Sequence, residues 1–219
     1  MIKPIRTNAF LPLLVLAAFT FSGCQKGTVD PGGGGGGGGS NTGGPGGGPT
    51  LNGSPMIMGD IDGVAFSMVA NGNTVIVNSS MAAGSPTFWI SGVVDAVSMQ
   101  FANFYFGALE PAGEAPTDAE FTSFFTPGTR PYAIVQMLME NGVEFEYLDE
   151  DQMQWRTSCG DADQTGSTFT ITAVESTSGG SGTSMRIVGT FSAKLHECTG
   201  DGGIKNVTNG KFRLDIPNY

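Results

Sequence analysis

Apolar and polar residues alternate along most of the chain after residue 55, with the period of two that is typical of β-strands. In the clearest segment, 185–195, every second residue from Met185 onward is apolar or glycine, and the residues between are mostly polar. Segments 168–173 and 211–216 repeat the pattern. Strands of this kind bury one face and expose the other, as in antiparallel sheets.

Four dipeptides that favour tight turns separate or interrupt these strands. Asp62-Gly63, Asn71-Gly72 and Asn141-Gly142 each predict a hairpin, because type I′ turns need positive φ at both central residues. Asn209-Gly210 predicts either a fourth hairpin or a bulge within one long strand. Near Ala102 the apolar positions change phase, which also indicates a bulge.

One short helix is predicted near residues 118–125. Thr117 can cap its first turn, Glu120 completes a capping box, and Pro127-Gly128 ends it. Sequential hairpins with so little helix predict an all-β domain, residues 55–219, in which an antiparallel meander closes as a β-sandwich. A β-barrel is the alternative.

The first 23 residues have the features of a signal peptide. Lys3 and Arg6 precede an apolar run of about 13 residues, which is short of the roughly 20 that a transmembrane helix needs. The segment Phe21-Ser22-Gly23-Cys24 resembles the lipobox of bacterial lipoproteins, which implies a lipid on Cys24. The alternative is ordinary cleavage that leaves Cys24 as a free thiol.

Residues 24–54 predict a disordered tether that carries the domain. They include eight consecutive glycines, Gly32–Gly39, and nothing that could bury apolar surface. Gln25 stands where enterobacterial lipoproteins retained in the inner membrane have Asp, so the resemblance favours the outer membrane. It leaves open whether the domain faces the periplasm or the cell surface.

Cys159 and Cys198 are the two cysteines that remain in the exported domain. Each follows a predicted strand, and an oxidising compartment favours pairing, so we predict a disulfide between them. A metal or redox pair is the alternative, but it would favour close spacing or histidine partners.

The charge of the chain is strongly acidic. Lys3 and Arg6 leave with the signal peptide, so 8 of the 10 basic residues remain beside 20 acidic ones, a mature net charge of 8 − 20 = −12. Nucleic acid and anionic surfaces are therefore not expected partners. Glu144 and Glu146 alternate with apolar residues, which predicts a solvated strand face, with a catalytic carboxylate pair as the alternative.

Two further motifs are candidates for chemistry. Asp161, Asp163 and Thr165 partly match a calcium loop, but Thr172 stands where the bidentate Glu belongs, so an inter-strand turn is the preferred interpretation. His196 is the only histidine, and its place at a strand end favours a surface residue over a catalytic base. No metal or other cofactor is expected.

Three segments resemble a family of uncharacterised β-rich lipoproteins from Gram-negative bacteria. They are residues 59–66 (GDIDGVAF), 187–193 (IVGTFSA) and 207–212 (VTNGKF). The segments are strand and turn patterns without catalytic residues. The resemblance implies a lipid anchor and a β-fold, and no activity.

The composition favours a binding or structural module of the cell envelope over an enzyme. Its partners would be the membrane, through the lipid, and a glycan, a peptide or an envelope protein. An envelope hydrolase that uses a carboxylate pair is the alternative. Four aromatic residues could line a ligand pocket, although core packing is the more ordinary role for such residues: Trp89, Phe104, Tyr105 and Phe106.

The anchor is tested by Cys24→Ser. We expect the variant to lose membrane association, because the thiol that carries the lipid is absent and no other long apolar segment follows it. Cell fractionation with detergent partitioning measures this. An unchanged membrane pool would contradict the lipobox.

Overall fold

The structure is a computed structural model that describes residues 48–71, 74–81, 87–113, 115–134, 142–179, 182–199 and 202–218. The predicted signal peptide, Cys24 and most of the tether lie outside these residues. Within them, no helix is both long and apolar enough to cross a membrane.

Antiparallel strands make up most of the described chain. The elements are β1 (Met56–Ile61), β2 (Val64–Val69), β3 (Thr74–Met81), β4 (Thr87–Asp95), β5 (Phe101–Leu109), α1 (Asp118–Phe124), β6 (Gly128–Arg130), β7 (Gly142–Leu148), β8 (Gln154–Arg156), β9 (Thr168–Gly179), β10 (Gly182–Glu197) and β11 (Ile204–Pro217).

The strands form one hydrogen-bonded sheet. Its order is β2-β1-β11-β10-β8-β7-β5-β4-β3, and β9 pairs with β10 and with β6. The sheet curls strongly into a half-barrel, which confirms the predicted all-β class of sandwich or barrel. The single predicted helix is also present, with Thr117 and Glu120 forming the expected capping box.

The turn at Asp62-Gly63 and the bulge at Asn209 are as the sequence predicts. Asp62 and Gly63 have φ of 51° and 82°, and they join β1 to β2. Asn209 has φ of 52° within the continuous strand β11, whose pairing with β10 shifts at this point. A bulge, not a hairpin, is therefore the outcome at Asn209-Gly210.

Two local predictions were wrong, and a third lies partly outside the described residues. Asn71-Gly72 does not make a hairpin, because β2 and β3 stand at opposite ends of the strand order. The change of phase near Ala102 is not a bulge: Val97 and Met99 are exposed in the β4–β5 turn, and β5 begins only at Phe101. Asn141 is outside the described residues.

Three glycines on adjacent strands allow the sheet to bend. A Cβ added to Gly189 would lie 2.1 Å from the carbonyl oxygen of Thr170, and one added to Gly210 would lie 2.4 Å from that of Phe191. A Cβ added to Gly59, on β1, would lie 3.0 Å from the Cα of Gly210 and 3.0 Å from the carbonyl oxygen of Thr208. Such close backbone and ring approach is possible only without side chains, so these glycines permit the curl.

The concave side of the curled sheet is filled by aromatic rings. Phe104 lies at the centre, with ring-centroid distances of 4.8–5.3 Å to the four phenylalanines around it. These four come from β7, β9, β10 and β11: Phe145, Phe169, Phe191 and Phe212. The core therefore joins strands that are far apart in sequence.

The domain begins earlier than residue 55. Arg213 donates to the carbonyl oxygens of Thr50 at 2.7 Å and Ser54 at 2.9 Å, and Arg186 donates to that of Leu51 at 3.2 Å. Residues 50–54, which the sequence assigned to the disordered tether, are therefore fastened to the outer face of β10 and β11. The amino-acid composition of this segment could not reveal the contact, because the arginines bind its backbone carbonyl oxygens and not its side chains.

Candidate functional site

A groove of about 910 Å³ crosses the outer face of the sheet at the glycine bend. Its walls come from neighbouring strands β2, β1, β11 and β10 and from the start of β9. Its polar lining side chains are Asp60, Ser67, Thr168, Thr190, Asn209 and Lys211, and Met58 and Ala65 supply apolar surface. Gly48, from the segment before β1, also lines it, as do Phe66 and Phe191, whose rings pack on the concave side. We call this feature the outer groove.

Strand alternation brings the outer-groove side chains to one face. Met58 pairs with Ser67 on β2 and with Lys211 on β11, and Lys211 pairs with Thr190 on β10. Residues that pair directly across strands point to the same side of a sheet. The order of these strands is not readable from the sequence, so sequence analysis missed the groove.

The polar groups of the outer groove are partly organised by the bulge. The amide of Asn209 donates to the carboxylate of Asp60 at 2.7 Å, and the left-handed conformation of Asn209 places it there. Thr168 and Ser67 are exposed. The outer groove therefore offers hydroxyl, amide, carboxylate and ammonium groups on a fixed backbone.

Glu144 and Glu146 are not on a solvated face, contrary to the sequence prediction. They are 0% and 2% exposed. Arg156 on β8 lies 3.2 Å from a carboxylate oxygen of Glu144 and 2.7 Å from one of Glu146. The error has a physical reason: β8 pairs with β7 and places a cation directly beside Glu146, which makes burial of the acids tolerable.

Further hydrogen bonds complete this buried ion cluster. Ser158 donates to Glu144 at 2.7 Å, and the hydroxyl of Tyr105 and the amide of Gln154 both donate to Glu146. Burial, followed by the charge of Glu146, raises the pKa of Tyr105 well above its usual value. Tyr105 therefore stays protonated and donates.

The cluster also fixes the charge of Arg156. Burial works to lower the pKa of Arg156, but the carboxylates of Glu146 and Glu144 raise it on balance. Neither glutamate is among the described residues that line the outer groove. The two carboxylates are thus bound to one guanidinium, whose removal would leave them buried without a counter-charge.

Cys159 and Cys198 form the predicted disulfide. Their sulfur atoms are 2.09 Å apart and their Cα atoms 5.2 Å apart. The bond joins the segment after β8 to the segment after β10, which are neighbours in the sheet. The sequence prediction of both the pairing and the adjacent strand ends is confirmed.

The candidate calcium residues form a turn held by hydrogen bonds and a lysine. Asp161 accepts from the N–H of Asp163 at 3.1 Å, and Asp163 accepts from that of Thr165 at 3.0 Å. Lys194 donates to Asp163, and this bond lowers the pKa of Asp163. Among the described residues, no group of three or more His, Cys, Asp or Glu could hold a metal ion.

His196 is buried, whereas the sequence predicted a surface residue. It is 3% exposed, packs beside Gly160, and lies 3.4 Å from a carboxylate oxygen of Asp161. The loop of residues 157–166, tied back by the disulfide, covers the strand end at which the histidine stands.

The four aromatic candidates for a ligand pocket are core residues. Trp89, Phe104 and Phe106 have no exposed surface, and Tyr105 is buried in the ion cluster. Trp89 packs on three phenylalanines from the helix and its C-terminal cap, Phe121, Phe124 and Phe125. Core packing, the more ordinary role, is the correct one.

Comparison with known proteins gave no match: no protein-family model, no curated protein and no solved structure corresponds to this chain.

The buried ion cluster is tested by Arg156→Met. Removing the guanidinium leaves two buried carboxylates without their cation, so we expect the free energy of unfolding to fall by about 3–5 kcal/mol at neutral pH. Urea unfolding at neutral pH measures the loss.

Two companion variants sharpen this test. Lys194→Met breaks the more exposed pair with Asp163 and should cost about 1 kcal/mol or less. Adding Glu144→Gln and Glu146→Gln to Arg156→Met should recover stability. A single Arg156→Met variant as stable as Lys194→Met would contradict the account.

Proposed function

We propose that this chain is an exported lipoprotein, held on the outer membrane through Cys24, whose β-domain binds a glycan without catalysis. The anchor and the compartment are supported by the signal-peptide pattern and the lipobox in residues 1–24. The disulfide between Cys159 and Cys198 fits an oxidising compartment. The remaining tether of residues 25–47 would allow the domain to move roughly 30 Å from the lipid.

The outer groove is the observation that carries binding. It is of ordinary size for a ligand site, for which a range of about 300–1,000 Å³ is typical. Its side chains include donors and acceptors, as a ligand rich in hydroxyl groups requires, and Met58 and Ala65 offer apolar surface for the C–H face of a sugar. The bend in the sheet holds these groups before any ligand arrives, which lowers the entropic cost of binding.

A glycan fits this position better than a peptide does. Peptides that bind to sheets gain most of their affinity by adding a strand to a free edge. The outer groove crosses successive strands on the face of the sheet, where β1, β10 and β11 already have hydrogen-bonded neighbours on both sides. Among the described strands that line the groove, β2 alone stands at an end of the strand order, so a ligand on the face of the sheet meets mainly side chains.

Catalysis by the carboxylate pair is the less favoured function. A glycoside hydrolase needs two carboxyl groups that flank a substrate. Glu144 and Glu146 instead share Arg156, and the hydrogen bonds from Tyr105 and Ser158 occupy them further.

Ser67→Trp tests the proposed function. Ser67 is exposed in the outer groove, so an indole at this position should fill the groove and weaken binding at least about tenfold. Isothermal titration of the full lipidated chain in nanodiscs, with soluble peptidoglycan fragments and lipopolysaccharide-core oligosaccharides as probes, measures the affinity.

Ser123→Trp is the matched control, since Ser123 is exposed on the helix and does not line the groove. It should bind as the unsubstituted chain does. Chromatography of the recovered glycan should find it uncleaved. Failure of every glycan probe to bind, or binding that survives Ser67→Trp, would contradict the proposal, and cleavage that depends on Glu146 would favour the hydrolase.

A further inference from the structure

One end of the sheet carries most of the exposed apolar side chains. Five large apolar residues are at least half exposed in the described part of the chain, and four of these follow or flank the turns at this end. They are Val64, Val97, Met99 and Ile204. Isolated apolar residues on a surface are ordinary, but a group at one end is a feature of interaction sites.

Four chain reversals meet at this end, which we call the turn end: residues 62–63, 96–100 and 149–153, and the described residues 198–199 and 202–203. Gln152 donates to the carbonyl oxygen of Ser98, which joins two of the turns. The carboxylate of Asp62, in the turn between β1 and β2, accepts from the N–H of Asn206 on β11 at 2.9 Å. A cleft of about 390 Å³ lies between them, lined by Val64, Phe66, Gln100, Tyr147 and Lys205 among others.

The exposed apolar residues of the β4–β5 turn are held in place. Asp95 accepts from the N–H of Val97 at 2.8 Å and, through its backbone carbonyl, from the N–H of Met99, also at 2.8 Å. The first of these bonds is the main cause of the lowered pKa of Asp95. Met99 has φ of 60°, a left-handed conformation that is unfavourable for a non-glycine residue. The turn therefore presents both side chains to solvent in a defined geometry.

The charge of the turn end is negative. Asp62, Glu150 and Asp151 are exposed there. The base that lines the cleft, Lys205, is already bound: its ammonium lies 2.8 Å from Asp149 and 4.1 Å from the ring centre of Trp155. Burial works to raise the pKa of Asp149, but the bond from Lys205 lowers it on balance, so this pair remains charged and internally compensated.

We propose that the turn end binds a cationic protein segment in which lysine or arginine residues alternate with apolar side chains. The apolar residues would contact Val97, Met99 and the cleft, and the basic residues would pair with Glu150 and Asp151. Charge complementarity selects this occupant, because like charges would repel an anionic lipid surface or the turn end of a second copy. This surface adjoins the outer groove, whose lining shares Ala65 and Phe66 with the cleft, and the proposal goes beyond glycan binding.

The test uses the full lipidated chain in zwitterionic nanodiscs and three labelled synthetic peptides of equal length. One alternates lysine with leucine, one glutamate with leucine, and one lysine with serine. Fluorescence anisotropy, with empty nanodiscs as background, measures binding. We expect the lysine–leucine peptide to bind at least about tenfold more tightly than either of the others, and its affinity to fall as salt rises because exposed charges are screened.

Two variants locate the surface. Each of two double variants should lower the affinity for the lysine–leucine peptide about tenfold. One is Val97→Ser with Met99→Ser, and the other is Glu150→Gln with Asp151→Asn. Matched controls away from the turn end, Ile134→Ser and Glu110→Gln, should bind as the unsubstituted chain does, and all variants should retain glycan binding at the outer groove.

Three results would overturn the proposal. The first is equal binding of the lysine–leucine and lysine–serine peptides, or equal binding to all variants. The second is attachment to anionic vesicles that depends on Val97 and Met99, which would assign the turn end to lipid. The third is concentration-dependent self-association in sedimentation that the same variants abolish, which would assign it to a second copy.

Discussion

The fold depends on a sharp bend in the sheet, and the bend depends on backbone that has no side chain to obstruct it. At Gly189 and Gly210 a single methyl group would overlap carbonyl oxygens of neighbouring strands or phenylalanine rings. The curl of β10 and β11 at this point brings Phe169 and Phe212 within 4.8 Å of one another on the concave side. On the convex side the same bend, with the bulge at Asn209, opens the outer groove. The aromatic core and the outer groove therefore both depend on the same bend in the sheet.

Many charged residues of the domain bind other groups within the domain. Arg156 binds two buried glutamates, Lys205 binds Asp149, and Arg213 holds the carbonyl oxygens of the segment that enters the domain. Buried ion clusters of this kind cost free energy to desolvate and stabilise little compared with apolar packing, but losing one member is expensive. The acids left on the surface give the turn end its negative charge.

Local features of this fold were predictable from the sequence, and features that depend on strand order were not. Thr117 and Glu120 define the helix start within four residues, and Asp62-Gly63 defines a turn within two. The disulfide was predicted by counting the cysteines of a domain expected to be exported. In contrast, β2 and β3 are consecutive in sequence but stand at opposite ends of the strand order. The hairpin predicted at Asn71-Gly72 was therefore wrong. Glu146 looked solvated because nothing in its own strand reveals that Arg156 pairs beside it.

The bend is tested most directly by the thermal stability of Gly189→Ala compared with Gly113→Ala. At Gly113 an added methyl group meets nothing closer than 4.0 Å, whereas at Gly189 it would lie 2.1 Å from a carbonyl oxygen. Overpacking of this kind costs about 1–3 kcal/mol, which for a domain of this size lowers Tm by roughly 3–10 °C. Differential scanning calorimetry should find that loss for Gly189→Ala and almost none for Gly113→Ala, while equal Tm values for the two variants would contradict the glycine-permitted bend.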